Sequence, residues 1–376
     1  MRIETLAVHA GGAPDRETGA IAPPIHLSTT FEHPPDSSEL AGFLYSRYRN
    51  PTQDRLESAL AAMEAGAAAV VYGSGMAAAV ALFHALPAGS HVVMGDDIYF
   101  SIRTAAQRHF PRWGLTATEV DATDVTAVRA AFRPETRCVW VESPSNPQLK
   151  VADVAAIAEL ARARDALLVV DSTFASPVLQ QPLALGAHVV MHSCTKYLAG
   201  HADAQAGALV LGHDGQLHEE LLAQRTVLGP VASPFTAWTI LRGLRTLPCR
   251  MEWHARGGAA VAAFLAEHAA VDRVHYPGLA THPQHAVARR QMRAFGGMLS
   301  FEVKGGAAAA LACAGRLRLF RNATSLGSTE SLVEHRASLE GPSSPTPPGL
   351  LRLSVGLEHP DDLVEDLAQA LAGVDR

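Results

Sequence analysis

The sequence predicts an α/β fold with a mostly parallel central sheet, followed by a smaller α+β region. Short apolar runs alternate with helical segments between residues 54 and 235, and this alternation is typical of βαβ units. A long helical stretch over residues 234–268 separates these units from a second set of strands. The length of 376 residues also exceeds the usual size of a single hydrophobic core, so two domains are expected.

The elements of the alternating part follow from hydrophobic periodicity and from the glycines and prolines between periodic segments. Strands joined by helices pair in parallel through right-handed crossovers, so we expect one mostly parallel sheet. The predicted helices cover residues 54–65, 74–85, 104–109 and 154–164, and the predicted strands cover residues 68–72, 91–94, 137–142, 167–170 and 188–192.

Three regions are expected along the chain. Residues 1–50 contain paired glycines and prolines without sustained periodicity, and we interpret them as an extended arm. Residues 51–235 are expected to form the α/β domain and residues 236–376 the C-terminal domain, with the boundary at the long helix, which Pro248 interrupts. In the C-terminal region we predict strands at residues 297–303 and 350–356 and a rigid proline-rich loop at residues 342–349.

Composition restricts the class of partner. The net charge of −6, without a run of lysine or arginine, argues against nucleic-acid or anionic-membrane binding and favours a small-molecule substrate. The four cysteines lack paired spacing, and the first residues have no apolar signal segment, so we expect a cytoplasmic enzyme. The sequence contains neither H-E-x-x-H nor G-x-S-x-G, so metal catalysis and serine hydrolysis have no support.

Two charged residues stand at the carboxyl ends of predicted strands. Asp171 ends the apolar run at residues 167–170, and Lys196 follows the strand at residues 188–192 among small hydroxyl side chains. In open α/β sheets, ligands bind at this edge. A partly desolvated lysine can form a Schiff base with an aldehyde, and an aspartate can pair with a pyridinium nitrogen. These two residues predict a pyridoxal phosphate site.

The segment Gly73-Ser74-Gly75-Met76-Ala77-Ala78 follows a strand and opens a helix. Backbone N–H groups and the positive end of the helix dipole can hold a phosphate there. The segment also matches the dinucleotide pattern G-x-G-x-x-A, with Asp96 and Asp97 ending the next strand, so a nicotinamide oxidoreductase is an alternative. Tight packing without a ligand is a third interpretation. The dinucleotide alternative leaves Lys196 and Asp171 without roles, so we favour the cofactor phosphate.

Four further positions each have a functional and a structural interpretation. Arg47, beside aromatic residues in the arm, could grip a phosphate or be a solvated loop arginine. Tyr99 could stack on a flat cofactor or cap the core. Asn146 could bond a phenolate oxygen or form an Asn-Pro turn. Arg352, on one strand face with Ser354, could bind a substrate carboxylate or form a structural salt bridge.

Taken in order, the motifs resemble the pyridoxal-phosphate-dependent enzymes of cysteine and methionine metabolism, a family that includes cystathionine γ-synthase, cystathionine γ-lyase, cystathionine β-lyase and methionine γ-lyase. The resemblance spans nearly the whole chain. The motifs that carry it are Thr18-Gly19-Ala20, Ser28-Thr29-Thr30-Phe31, Tyr45-Ser46-Arg47-Tyr48, Gly73-Ser74-Gly75-Met76, Asn146-Pro147, Asp171-Ser172-Thr173-Phe174, His192-Ser193-Cys194-Thr195-Lys196-Tyr197, Tyr276-Pro277-Gly278, Glu330-Ser331-Leu332 and Arg352-Leu353-Ser354-Val355-Gly356.

The resemblance implies the fold of type I pyridoxal-phosphate-dependent transferases, with pyridoxal 5'-phosphate as cofactor. It implies that Lys196 carries the cofactor and acts as the catalytic base, that Asp171 pairs with the ring nitrogen, and that Tyr99 stacks on the ring and can serve as an acid. It also implies a homo-oligomer, in which dimers share their sites and usually form tetramers. The other implied cofactor contacts are Gly75, Met76, Asn146, Thr173, Ser193 and Thr195, with Tyr45 and Arg47 from a neighbouring subunit, and the implied substrate contacts are Thr324, Ser325, Arg352 and Tyr45.

The sequence departs from the family pattern around the substrate. Thr324 stands where cystathionine-specific γ enzymes usually carry a glutamate that can bind the distal amino group. Phe100-Ser101 replaces the Gly-Cys typical of methionine γ-lyases, and residues 334–337 and 341–348 also differ. We expect γ-elimination from a sulfur amino acid or homoserine derivative, that is, a carbon–sulfur lyase. The alternative is γ-replacement, in which cysteine adds to an O-acylhomoserine and gives cystathionine.

Overall fold

The computed structural model describes residues 1–36, 38, 42–341 and 344–372, and its strands form two sheets. Parts of the predicted arm (37 and 39–41), of the proline-rich loop (342–343) and of the C-terminal domain (373–376) lie outside the described residues. The helices are α1 Ile3–His9, α2 Pro51–Glu64, α3 Gly75–Ala85, α4 Phe100–Arg108, α5 Val125–Ala130, α6 Val154–Arg162, α7 Ser176–Leu179, α8 Gln216–Leu228, α9 Pro234–Leu244, α10 Leu247–Glu267, α11 His285–Gln291, α12 Gly306–Arg316, α13 Arg336–Glu340 and α14 Pro360–Leu371. The strands are β1 Ala68–Tyr72, β2 His91–Gly95, β3 Thr116–Val120, β4 Thr136–Glu142, β5 Leu167–Asp171, β6 Val189–Ser193, β7 Gly207–Leu211, β8 Val271–His275, β9 Met298–Val303, β10 Arg321–Asn322, β11 Leu332–His335 and β12 Leu350–Ser354.

The larger sheet has seven strands in the order β1-β7-β6-β5-β4-β2-β3. The register is parallel between β6 and β5, β5 and β4, β4 and β2, and β2 and β3, whereas β7 runs antiparallel to both β1 and β6. The predicted mostly parallel sheet is therefore confirmed. Since β1 and β6 both oppose β7, their carboxyl ends lie at the same edge as those of β4 and β5.

Both faces of this sheet are buried except at the edge strand β3. Successive residues of β1 enter different clusters, because side chains alternate across a strand: Val70 packs with residues of α3 and α4, and Val71 packs with residues of α2 and α9. Burial on two sides explains the continuous apolar runs that identify these strands in the sequence. None of the helices in the described ranges is long and apolar enough to cross a membrane.

The smaller sheet has five strands in the order β10-β11-β12-β9-β8. It is antiparallel except for the β10–β11 pair. Glu334 of β11 lies directly opposite Arg352 of β12. Helices α10, α12 and α14 cover this sheet with a separate hydrophobic cluster. A strand and a helix follow the proline-rich loop, as predicted.

Several boundaries differ from the sequence prediction. Residues 1–50 are not irregular throughout, because α1 buries Ile3 and Ala7, a pair with helical spacing that is too short to stand out as a periodic pattern. The predicted helix at residues 104–109 begins earlier, at Phe100. The long helix is interrupted as predicted, between Leu244 and Leu247.

Two strands of the larger sheet and two helices of the same region were not predicted from the sequence. Strand β3 lies at the edge of the sheet and is half-exposed, so it has no apolar run. Strand β7 is fully buried, but it lies close behind β6 in the chain and was not separated from it. Helix α8 buries few residues and therefore has only a weak apolar stripe. Helix α5 has only 6 residues, which is too short for a periodic apolar pattern to be recognised.

Candidate active site

A cavity of about 230 Å³ lies where the carboxyl ends of β1, β4, β5 and β6 face the smaller sheet. The structure brings twelve of the fourteen predicted site residues to this cavity. They are Gly75, Met76, Tyr99, Asn146, Asp171, Thr173, Ser193, Thr195, Lys196, Thr324, Ser325 and Arg352. Seven of the eight other lining residues are Ser74, Ile102, Glu142, Phe174, Met191, Gln205 and Leu326, and Arg336 completes the wall.

One end of the cavity is the start of helix α3. The Ser74 side chain caps the helix by accepting a hydrogen bond of 3.0 Å from the Ala77 N–H, and the Ala78 N–H bonds the Ser74 carbonyl. In the described part of the chain, the N–H groups of Gly75 and Met76 form no hydrogen bond. They are therefore available to an anion at the positive end of the helix dipole.

Gly75 is needed at this position because of a close approach. A Cβ built on it would lie 3.1 Å from both Cβ and Oγ of Ser193 and 3.1 Å from the end of Met191. A larger residue would push the helix away from β6. Strand β1, which leads into this turn, is an edge strand that pairs with antiparallel β7. A dinucleotide fold instead places its glycine-rich turn after a central parallel strand, so this geometry favours the phosphate interpretation.

Asp171 is buried at the end of β5, and Thr173 holds its carboxylate. The Thr173 hydroxyl and backbone N–H donate to Oδ1 at 2.6 and 3.0 Å. Burial raises the pKa of Asp171, although the bonds from Thr173 oppose the rise. A buried carboxylate of this kind is stabilised when a positive charge lies beside it. Thr173 Oγ1 also accepts from the Ser193 N–H at 2.9 Å, which ties Asp171 to the end of β6.

Lys196 lies in the turn just after β6 and lines the cavity. Its Nζ donates to Ser325 Oγ at 2.7 Å. Burial, followed by the positive charges of Arg352 and Arg336, lowers its pKa to about 8 against the partial opposition of Glu334. With that pKa, about a tenth of the amine is unprotonated at pH 7, far more than for an ordinary lysine. The amine can therefore act as a nucleophile and as a base.

Arg352 is buried in β12 and points its guanidinium at the cavity wall. Nη1 donates to Asn146 Oδ1 at 2.9 Å, and Nη2 donates to Glu334 Oε2 at 2.7 Å and to the Ser325 carbonyl at 3.1 Å. Burial lowers its pKa to about 10, so it stays charged at neutral pH. The structural salt bridge considered from the sequence is thus present. Because Arg352 also lines the cavity, its binding of a substrate carboxylate stays a prediction.

Tyr99 and Asn146 both contact the cavity. Tyr99 is half-exposed there, and its backbone N–H donates to Glu142 Oε2 at 2.7 Å. Asn146 is buried and orients Arg352, a contact that the sequence does not indicate. Thr195 also lines the cavity, and its hydroxyl is bonded to the backbone of Ala206 at 3.2 Å. None of these contacts tests the predicted cofactor roles.

Tyr45 and Arg47 are the two predicted residues that do not line the cavity of their own chain. Both side chains lie at the surface of the arm, where the Arg47 guanidinium stacks 5.5 Å from the Tyr45 ring centroid and donates to the Thr226 carbonyl. The expectation that they act in a neighbouring subunit stays a prediction.

Sequence reasoning missed several cavity residues. Glu142 ends β4 directly beside Asp171, and the strand-end rule that identified Asp171 would also have identified it. Burial, followed by the negative charge of Asp171, raises the pKa of Glu142 well above its usual range. Arg336 stood out in the sequence only because residues 334–337 differ from the family pattern. Gln205 stands in a loop before β7 and gave no signal.

The donor set fits pyridoxal phosphate. The uncapped N–H groups of Gly75 and Met76 match a phosphate, buried Asp171 matches a protonated ring nitrogen, and Lys196 has the lowered pKa that attack on an aldehyde requires. Among the described residues no cluster of histidine, cysteine, aspartate or glutamate is arranged to hold a metal ion.

Comparisons with known proteins agree with this chemistry. The family described as "Cys/Met metabolism PLP-dependent enzyme" matches residues 4–372. A cystathionine γ-synthase of Mycobacterium tuberculosis strain H37Rv is 48% identical over 373 residues, which are 98% of this chain and 96% of the relative. A cystathionine γ-lyase of Bacillus subtilis is 39% identical over 100% of both chains. The crystal structure of metB from Corynebacterium glutamicum has a TM-score of 0.97 and 41% identity, and it covers 100% of this chain and 98% of its own.

Proposed function

Since the chain belongs to the family of Cys/Met metabolism enzymes that depend on pyridoxal phosphate, we propose that it removes a leaving group from Cγ of an amino acid by elimination. Its cofactor is pyridoxal phosphate and its fold is that of the type I enzymes, as the resemblance implied. The overall reaction consumes one water molecule, and its products are a 2-oxo acid, ammonia and the released thiol or acid.

When bound, pyridoxal phosphate supplies an electron sink that makes the Cα proton of the amino acid acidic. In our proposal Lys196 would carry the cofactor. Its released amine would remove the proton at Cα, pass that proton on to the bound cofactor, and only then remove the proton at Cβ. Asp171 keeps the ring nitrogen protonated, and Arg352 with Ser325 binds the α-carboxylate. Tyr99 donates a proton to the group that leaves Cγ.

One observation favours elimination over replacement. Replacement needs a second amino acid, and its ammonium group would be held best by a free carboxylate. Among the described residues that line the cavity, the carboxyl groups are those of Asp171 and Glu142. We assign Asp171 to the cofactor, and the raised pKa of Glu142 favours its neutral form. Thr324 offers only a hydroxyl at the position where the family can carry a glutamate.

Replacement is the second candidate, because relatives named cystathionine γ-synthase are 48% identical to this chain. In that reaction the same residues would release the acyl group of an O-acylhomoserine, and cysteine would add at Cγ. Elimination and replacement use the same groups up to the loss of the leaving group, so product analysis must separate them.

Product analysis of the cofactor-loaded enzyme tests this proposal. We expect cystathionine, methionine or an O-acylhomoserine to give a 2-oxo acid and ammonia, and added cysteine to divert less than half of the product. If O-acylhomoserine and cysteine gave cystathionine as the main product, the reaction would be replacement instead.

Thr324→Glu should raise the preference for cystathionine over methionine as a substrate by about tenfold, which is the value of one charge-assisted contact. Thr324→Gln, which lacks the charge, is the matched control.

We further propose that the enzyme is at least a dimer in which Tyr45 and Arg47 reach the partner's cofactor. An arginine beside two tyrosines suits a phosphate, yet these side chains are exposed near α8 and do not line the cavity of their own chain. They are therefore free to contact a partner. Tetramer formation and a cytoplasmic location are part of the same proposal, and the free thiols of all four cysteines support the location.

A subunit-mixing experiment tests the shared site. Arg47→Ala alone should weaken cofactor retention by about tenfold, one charge-assisted contact. When this variant is mixed and reassembled with Lys196→Ala, half of the dimers should hold one complete site. At a cofactor concentration that leaves the Arg47→Ala variant mostly empty, the mixture should then recover about a quarter of the wild-type activity. Activity no higher than the mean of the separate variants, in verified mixed dimers, would exclude the shared site.

A further inference from the structure

Arg336 is a buried charge at the active site that the mechanism above does not use. It is the first residue of α13, its side chain is 2% exposed, and it belongs to the cavity wall. An arginine is almost never buried so completely unless its charge is compensated. Its partners therefore indicate what it does.

Two carboxylates hold the Arg336 guanidinium. Nη1 donates to Glu334 Oε2 at 2.8 Å and Nη2 donates to Glu340 Oε1 at 2.7 Å. The ring of Phe100 lies 5.7 Å from the guanidinium carbon and covers it. With two carboxylates and an aromatic ring around it, the group has one orientation.

Glu334 is shared by two arginines. The oxygen Oε2 that binds Arg336 also accepts the 2.7 Å bond from Arg352, its cross-strand neighbour. Because Arg336 competes with Arg352 for this one oxygen, Glu334 neutralises Arg352 less than it would alone, and Arg352 keeps part of its attraction for an anion in the cavity. Both arginines lower the pKa of Glu334 although burial opposes them, so Glu334 stays ionised.

The outer end of this chain of charges reaches the loop after α13. Glu340 Oε2 accepts from the hydroxyls of Ser344 at 2.6 Å and Thr346 at 3.0 Å. A continuous ladder of side chains therefore joins the loop, Glu340, Arg336, Glu334 and Arg352. Its four charged groups sum to zero.

We propose that Arg336 is a positioning residue for substrate recognition: acting through Glu334, it fixes the guanidinium of Arg352 and prevents its full neutralisation, and Glu340 with the loop at residues 344–346 holds Arg336. The inference rests on the proposed function, since it requires that Arg352 binds the α-carboxylate. Without Arg336, Glu334 would turn entirely to Arg352 and compete with the substrate.

The test compares two ligands of the cofactor-loaded enzyme, L-norvaline and L-norvalinamide, which differ in the α-carboxylate. Dissociation constants come from spectral titration. Arg336→Gln should weaken norvaline binding by about tenfold and change norvalinamide binding less than twofold. Arg336→Lys, which keeps the charge but not the two-point grip, should recover part of the loss. KM should rise with little change in kcat.

Two further variants keep the test decisive. Glu340→Gln leaves the shape of the ladder and removes one charge, so Arg336 should draw more strongly on Glu334 and leave Arg352 less neutralised. Norvaline binding should then tighten, a change opposite in sign to that of Arg336→Gln, and it can be measured even where Arg336→Gln folds poorly. Arg290→Gln breaks an ion pair with Asp153 outside the cavity and should change neither dissociation constant.

Each outcome has a defined meaning. Equal weakening of both ligands by Arg336→Gln, or an unchanged preference for norvaline, would overturn the positioning role while leaving the proposed function intact. Arg352→Gln separates the two proposals: if it leaves the preference for norvaline unchanged, the assignment of Arg352 in the proposed function fails, and the role of Arg336 fails with it.

Discussion

Lys196→Ala is expected to abolish covalent attachment of pyridoxal phosphate and to lower kcat by at least about 10³-fold, within the range of a lost general base. Among the described residues that line the cavity, Lys196 is the only lysine, and burial and two arginines lower its pKa to about 8. Loss of the visible absorbance of the bound cofactor and a rate assay with the preferred substrate measure the two effects.

Lys304→Ala is the control for this substitution. Lys304 bonds the Ala269 carbonyl at 2.7 Å in the C-terminal region and does not line the cavity, so its loss should leave both readouts unchanged. If Lys196→Ala retained turnover above about 10% of wild type, well outside the range expected for a lost base, another residue would have to carry the proton.

Asp171→Asn is expected to lower kcat by about 10²-fold while the protein still folds. The amide has the same shape as the carboxyl group but no charge, so the ring nitrogen loses about 3 kcal/mol of charge-assisted bonding, which corresponds to about two powers of ten in rate. Burial raises the pKa of Asp171 in the folded chain, so the neutral amide should not destabilise the protein. Thermal unfolding of the cofactor-free protein and single-turnover rates measure these effects.

Thr173→Val provides a graded comparison, because Thr173 donates from its hydroxyl to Asp171 at 2.6 Å. Its loss should raise the Asp171 pKa further and lower kcat by about tenfold, the value of one hydrogen bond to a charged group. A fall for Thr173→Val as large as that for Asp171→Asn would argue that the hydroxyl has a separate function. An unchanged rate for Asp171→Asn would exclude the pairing with the ring nitrogen.

The central sheet was predictable because its strands are buried on both faces and their residues must be apolar. The strand at residues 68–72 was predicted with the bounds that β1 has. The predicted strand at residues 167–170 ends one residue before β5 does, and the predicted strand at residues 188–192 is displaced by one residue from β6 at both ends. Strand β3 escaped detection because an edge strand has no such requirement. The antiparallel direction of β7 also could not be read, because strand direction depends on the path of the preceding loop.

The family and the cofactor followed from the sequence alone, and so did the expectation that Lys196 and Asp171 lie in one site, where both line the cavity. The resemblance is confirmed over residues 4–372. Asp171, Lys196 and Gly75 were identifiable because Asp171 ends a strand and the other two come shortly after one, and the carboxyl ends of parallel strands meet at one edge. A local pattern is enough for a residue whose place is fixed by its own strand.

Only the tertiary structure decided the environment of the substrate. Arg352 forms a salt bridge and also lines the cavity. It is therefore compatible with both sequence interpretations, a structural ion pair and a carboxylate-binding residue, which spacing could not separate. Its bonds to Asn146 and Glu334 come from a distant loop and from the opposite strand, with sequence separations of 206 and 18 residues. The sharing of Glu334 between Arg352 and Arg336 depends on strand register and side-chain direction. The sequence thus determined which groups this protein has, and tertiary packing decided which charge each of them faces, because electrostatic pairing follows distance in space rather than separation along the chain.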